Sequence, residues 1–192
     1  DVAIQQGYLD RVADRLPADL PVLFLPIQAV GVSTEHGDFP GTLSLSPETA
    51  LAAWREIGAS VAKTGCRKLV IVNSHGGNSA LVDILAQDLR ARFEMLAVRA
   101  AWSRFGAPDG LFSAHERAHG IHGGDIETSL MLAFAPDLVD MRRAGKFTPA
   151  TVGFGKEFTW LRSDRPLGFG WMAQDLSDSG AIVVASAATA AK

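Results

Sequence analysis

Three stretches of this chain combine residue types that could do chemistry. Asn73-Ser74-His75-Gly76-Gly77-Asn78 sets an imidazole between an apolar run and two glycines. Imidazole is a common metal ligand and proton carrier, and the glycines let a ligand come close to the backbone, so Gly76 and Gly77 read as substrate-binding positions. A turn with a surface histidine is the plain alternative, and the missing lysine and spacing argue against a phosphate loop. His122-Gly123-Gly124-Asp125-Ile126-Glu127 puts an imidazole and a carboxylate on either side of a glycine pair. That pair suits ligation of a divalent ion, or general acid/base work on a bound water. Asp125 and Glu127 could equally do no more than favour a helix N-terminus. The segment from Gly31 to Thr42, with Ser33 and His36, is polar and turn-rich, which suits a substrate-binding loop or an ordinary solvated one. His115 and His119, four apart, could form a ligand pair on a helix, a weak signal by itself.

The elements that must position these residues follow from periodicity. Apolar positions from Ile4 to Leu16 recur every three or four residues and predict an amphipathic helix, broken by Pro17 and Pro21. Val22-Leu23-Phe24-Leu25 then predicts a buried strand. Ser46-Pro47-Glu48 predicts a helix start, with a capping hydroxyl, a proline where no N–H is missed and a carboxylate at the positive end of the dipole. Leu51, Trp54, Ile57 and Val61 share a face of that helix, and Gly65 ends it. Leu69 to Val72 predicts a fully buried strand leading to His75. Leu81 to Leu89 predicts another helix, and Met95 to Val98 a third strand followed by Trp102, whose ring could cover a pocket or simply pack. Ile126 to Ala135 predicts one more helix, and 145–180, rich in Gly, Phe, Trp and Pro, predicts loop. Strands and helices that alternate in this way give an α/β fold, a three-layer α/β/α arrangement around a mostly parallel sheet, with ligands at the carboxyl ends of the strands. No repeat or linker divides the chain, which reads as one domain over 1–192.

Composition removes other classes. With 18 Lys+Arg against 21 Asp+Glu, a net charge of −3 and scattered basic residues, there is no stripe for phosphate backbones. No window approaches the run of about 18 to 20 apolar residues that a membrane helix needs. Nucleic acid and membrane partners are therefore not expected. The single Cys excludes an intramolecular disulfide framework, and no window reads as a cleaved signal, so a reducing, cytoplasmic compartment is expected.

Phe39-Pro40-Gly41-Thr42-Leu43-Ser44-Leu45, Val72-Asn73-Ser74-His75-Gly76-Gly77-Asn78, and His122 to Leu132 followed by Pro136-Asp137-Leu138-Val139-Asp140 resemble, in order and spacing, the creatininase (creatinine amidohydrolase) family. The match covers nearly the whole chain. The resemblance implies an α/β amidohydrolase, commonly hexameric, that uses two divalent ions (zinc, manganese or iron) to activate a water against a cyclic or linear small-molecule amide. It implies that His75 is a metal ligand, that Asp1 bridges both ions and that Glu127 supports the metal site. It also implies that His122 faces the substrate as acid or base and that Trp102 matches an aromatic near the pocket mouth.

Two departures qualify it. The family's remaining ligands come from a Glu-x-His-Gly-x-His-Leu-Pro motif upstream of the aspartate, which has no counterpart before Asp1. Glu35-His36-Gly37 lacks the intervening residue and adjoins Phe39-Pro40-Gly41-Thr42, where a different family loop belongs, so it is not read as that motif. Creatininases proper place a Glu two residues after the strand-end His and a Trp four residues before the later His; Gly77 and Ala118 stand there. That points away from creatinine and toward creatininase-like amidohydrolases, which include deformylases and a peptidase. A helical pattern that begins directly after Asp1, and a small-residue run from Ala185 to Lys192, lead us to expect a domain trimmed at both ends that cannot hold both ions alone. Two other readings stand: a catalytically incomplete small-molecule-binding or scaffold protein of the same fold, and a one-metal hydrolase built from His75, His115, His119 or His122.

Overall fold

Ser46 caps a helix as its sequence context predicts. In the computed structural model, which describes residues 1–163 and 167–192, the Ser46 hydroxyl accepts from the Thr49 amide at 3.3 Å, and Pro47 opens helix α2 (Pro47–Lys63). Gly65 follows its end in the left-handed region, at φ +89°, where a Cβ would be strained. The chain divides into two units, Asp1–Gly106 and Ala107–Lys192.

The first unit begins with α1 (Val2–Ala13) and is built on strand β1 (Lys68–Asn73), helix α3 (Ser79–Phe93) and strand β2 (Leu96–Ala101). The two strands are parallel, with Lys68 opposite Leu96 and Asn73 opposite Ala101. Both therefore end at the same level, and His75 and Trp102 leave from that end. Ala62, Leu85, Leu89 and Met95 form the buried centre, with Trp54 of α2 and Leu69, Ile71 and Ala97 of the strands packed against it. The strands alternate, with one face against α2 and α3, while Val70, Leu96 and Val98 on the other remain exposed.

Two expectations are corrected here. The strand from Leu69 to Val72 is half-buried rather than fully buried: among the described residues, Leu69 and Ile71 pack against the cluster of α2 and α3, while Val70 on the other face is exposed. Val22 to Leu25 forms no strand; Leu23 is 94% exposed. Pro21 and Pro26 bracket that run and remove backbone donors at both ends, and no described strand lies beside it to complete a ladder.

The second unit contains α4 (Ala114–His119), α5 (Asp125–Phe134), a short antiparallel pair of β3 (Lys146–Phe147) with β4 (Val183–Val184), α6 (Thr151–Glu157) and α7 (Ala173–Leu176). Leu176, Ile182 and Val183 form its core, covered by Phe154, Phe169 and Trp171. The segment read as loop over 145–180 thus carries short elements ordered by aromatic burial, which leaves no periodic signature; residues 164–166 of it lie outside the described residues. Asp125 is buried and satisfied by the Ser129 hydroxyl at 3.1 Å and the Lys192 ammonium at 2.6 Å. Among the described residues, no helix is long and apolar enough to cross a membrane.

Helices α2 and α3 interlock at Gly58, where a Cβ would stand 2.4 Å from a Leu89 methyl. Gly58→Ala would stabilise an exposed helix by about 0.8–1 kcal/mol; here it is expected to destabilise. Leu89→Ala is expected to cost about 2–5 kcal/mol. Urea denaturation of the double variant should give less than the sum, because alanine at 89 makes room for the new methyl. Strict additivity would show that the helices do not interlock at this point.

Candidate metal centre

Beyond the carboxyl end of β1 the chain turns through Ser74 and His75 and enters α3. Asn73, the last strand residue, shapes that turn: its amide donates to the His75 carbonyl at 2.8 Å and its carbonyl oxygen accepts from the His75 amide at 3.2 Å. Asn78, at the start of α3, spends its side chain elsewhere than on the helix. Its amide nitrogen reaches Asn73 Oδ1 at 3.3 Å, and its own Oδ1 accepts from the Val32 amide at 2.8 Å. Gly31 permits this, since a Cβ there would stand 2.6 Å from Asn78 Oδ1. The loop that follows Val32 is thereby fastened to the strand end.

That fastening brings Glu35 and His36 to His75, with ligand atoms of the three all within 4.8 Å of one another. Glu35 Oε1 lies 2.8 Å from His75 Nε2 and 3.4 Å from His36 Nδ1. The side chains are only 17%, 13% and 15% exposed for Glu35, His36 and His75. Ser33 orients His36, its hydroxyl 3.1 Å from Nδ1. Gly77 is enclosed: a Cβ would meet the Val32 carbonyl at 2.6 Å, Glu35 Oε1 at 2.7 Å and His75 Nε2 at 2.8 Å. The Glu35 carboxylate thus fills the space that a side chain at 77 would need. Around Gly76 there is open space.

The set fits a divalent cation. His75 Nε2 is buried and stands 2.8 Å from Glu35 Oε1, so a ring nitrogen and a carboxylate oxygen face each other there. Imidazole nitrogen and carboxylate oxygen are the donors that zinc, manganese and iron accept. Asp1 meets the ring's other nitrogen, Oδ2 to Nδ1 at 3.0 Å. A carboxylate in that position favours the tautomer with the proton on Nδ1, which turns the Nε2 lone pair toward Glu35 and His36. The resemblance implies that Asp1 bridges two ions; its carboxylate stands beside the His75 ring.

The remaining candidates have other surroundings. Trp102 donates from Nε1 to Gln5 Oε1 at 2.6 Å and stacks on Tyr8 with ring centroids 4.6 Å apart, so it is engaged with α1. In the second unit, Glu127 Oε2 accepts from the Gly123 amide at 2.6 Å and stands 3.8 Å from His122 Nδ1. Gly123 takes φ +62°, and the His122 carbonyl accepts from the Ile182 amide at 2.8 Å. Glu127 therefore folds back over the glycine turn that presents His122.

Residues 1–192 match the sequence profile of the creatininase family, described as creatinine amidohydrolase. The chain belongs to the creatininase family. Over 163 residues it is 33% identical to the creatinine amidohydrolase of Pseudomonas putida, covering 79% of this chain and 63% of that protein. Over 150 residues it is 35% identical to the mycofactocin precursor peptide peptidase of Mycobacterium ulcerans (strain Agy99), covering 77% of this chain and 54% of that one. A solved structure described as creatininase Mn superposes with a TM-score of 0.66 at 26% identity, over 100% of this chain and 73% of its own. This creatininase-family chain thus spans between about half and two thirds of the length of the two curated relatives.

Two sequence signals are read differently in the light of this creatininase-like fold. Glu35, set aside on spacing, stands with His75, and the signal that could have found it is the glycine at 77 facing a loop carboxylate. His115-Glu116-Arg117-Ala118-His119 has the H-E-x-x-H spacing of zinc peptidases, which the reading of a bare histidine pair leaves out. The rings are 4.9 Å apart. Glu116, however, is buried with its carboxylate on the Ile126 amide, so it is not placed as a general base beside that pair. Burial, then His115 and Arg162, hold His119 below its ordinary value of 6.5.

Two expected outcomes follow from this geometry. Gly77→Ala, which displaces Glu35, and Asn78→Ala, which releases its loop, should each weaken Mn2+ binding by about 10–100-fold in titration calorimetry, the usual cost of losing an outer support. Unchanged affinity in Gly77→Ala would remove Glu35 from the centre. Because the folded His119 pKa is depressed, the unfolded chain takes up its proton first, so stability falls as pH drops below about 6.5. Replacing His119 by Gln should flatten that part of the stability-against-pH curve in thermal melts.

Proposed function

We propose that this protein is a metal-dependent amidohydrolase that cleaves an amide C–N bond with an ion-activated water. The observation that carries the proposal is the cluster of Glu35, His36 and His75 at a strand's carboxyl end, with His75 Nε2 2.8 Å from Glu35 Oε1. Asp1 holds the tautomer of His75, Ser33 turns His36, and Glu35 contributes the negative charge that a dication needs. A bound divalent ion would bring its water toward neutral pKa and polarise the amide carbonyl. The chain then needs no nucleophile of its own; Cys66 is exposed ahead of β1, its thiol directed to the Lys68 carbonyl.

The family resemblance assigns His122 an acid/base role, and within its own unit Glu127 holds the Gly123 amide next to it. The family resemblance makes two ions the reading for the whole protein, and the donors around His75 account for one. The relatives are named for creatinine and for a peptide precursor, so the substrate is read as an amide of either kind, with Gly77 and Ala118 counting against creatinine. Assembly as a homo-oligomer, as a hexamer in the resemblance, and a cytoplasmic setting belong to the same proposal.

Metal analysis of protein purified without chelator, followed by amide release from creatinine, an N-formyl compound and a short peptide, tests it. Loss of both ion and turnover in His75→Ala is expected. Asp1→Asn should weaken the ion by about 10–100-fold, as outer partners do. Absence of any bound divalent ion, or parental turnover in His75→Ala, would refute the enzyme. An ion held without hydrolysis of any probe would leave a binding protein in its place.

A further inference from the structure

Glu116 is 2% exposed, yet among the described residues one of its carboxyl oxygens, Oε2, has no hydrogen-bond partner. A buried polar atom left unmatched is destabilising relative to an apolar side chain. The other oxygen, Oε1, accepts from the Ile126 amide at 3.1 Å. Ile126 lies in the first turn of α5, whose leading N–H groups have no partner within the helix. Gly124, the residue before α5, offers no side-chain cap. Glu116 therefore supplies that cap from α4, ten residues earlier.

The carboxyl group is enclosed by glycines. A Cβ at Gly124 would stand 2.4 Å from Oε1 and one at Gly120 2.5 Å. On the far side of the same turn, Glu127 holds the Gly123 amide at 2.6 Å. Segment 181–184 closes the remaining side: Ile182 binds the His122 carbonyl, and Ala181 lies within 3.3 Å of a Cβ built on Gly123. Val183 in that segment is held at φ +82°, a strained value for a β-branched residue. Two carboxyl groups and the segment 181–184 thus all contact the backbone of His122-Gly123-Gly124. Burial raises the Glu116 pKa, with Asp125 adding to the rise and the Ile126 amide opposing it.

We propose that Glu116 is a positioning residue: its buried carboxyl group sets the path of the His122-Gly123-Gly124 turn and so the placement of the His122 imidazole. Its importance for catalysis rests on the amidohydrolase reading, whereas its effect on His122 does not. Glutamine keeps an oxygen for the Ile126 amide and should preserve the turn; leucine fills a similar volume without an acceptor and should not.

The test uses 15N-labelled protein and the ring correlations of its five histidines, with His122 assigned from a His122→Gln spectrum. In Glu116→Gln the His122 ring signals are expected to coincide with the parent's. In Glu116→Leu they are expected to shift and broaden, and the Ile126 amide to exchange faster with solvent, while His36 and His75 stay in place. His122 signals unchanged in Glu116→Leu would overturn the proposal, as would equal movement of all five rings, which marks general loosening. Should the leucine variant not fold, Glu116→Ala is read by the same signals and the same criteria. Absence of hydrolysis in the parent would count against the enzyme reading and leave the spectroscopic outcome standing.

Discussion

One side-chain amide holds the candidate centre together. Asn78 joins the turn after β1 to a loop 46 residues earlier through its bond to the Val32 amide, and braces Asn73 with its other end. Neutral amide bonds of this kind contribute about 0.5–1.5 kcal/mol each, little against the burial in the α2–α3 core. Their value lies in direction. An amide presents donor and acceptor at fixed angles, so the loop can approach the strand end in one register only, and Glu35 arrives beside His75 without a strand of its own.

The glycines act as the complement of that constraint. At Gly31 and Gly77 the missing side chain is a volume already taken by Asn78 and by Glu35. The second unit repeats the device with different parts, since Gly120 and Gly124 leave room for Glu116, and the turn bearing His122 is shaped by carboxyl groups. In both units a histidine stands on a glycine-rich turn whose path is set by contacts from other side chains.

How much of this is legible in the sequence depends on range. The start of α2 is written locally in Ser46-Pro47-Glu48, and β1, α3 and β2 in their apolar periods, because capping and amphipathicity act over a few residues. His75 is legible for the same reason, as a strand-end residue before glycines. Glu35 is not, because its partner lies 40 positions away and its own neighbourhood reads as solvated loop. The apolar run from Val22 to Leu25 misleads in the opposite sense. Hydrophobicity favours burial, but a strand also needs a neighbour with free donors and acceptors, and flanking prolines reduce what it can offer. Glu116 shows a further limit: a familiar spacing of histidine and glutamate says nothing of which way the carboxylate turns.

The approach of Glu35 to His75 carries a thermodynamic consequence. A cation bound by both would act as a staple across a span of 40 residues, closing a long loop at a single point. Anything that binds only the closed form stabilises it in proportion to the logarithm of its concentration over its dissociation constant, about 4 kcal/mol at a thousandfold excess. Occupancy and order of the segment around Glu35 would then be one equilibrium seen from two sides. A cell's free-metal level would then add to the hold that Asn78 already gives the loop, in step with how many centres are filled.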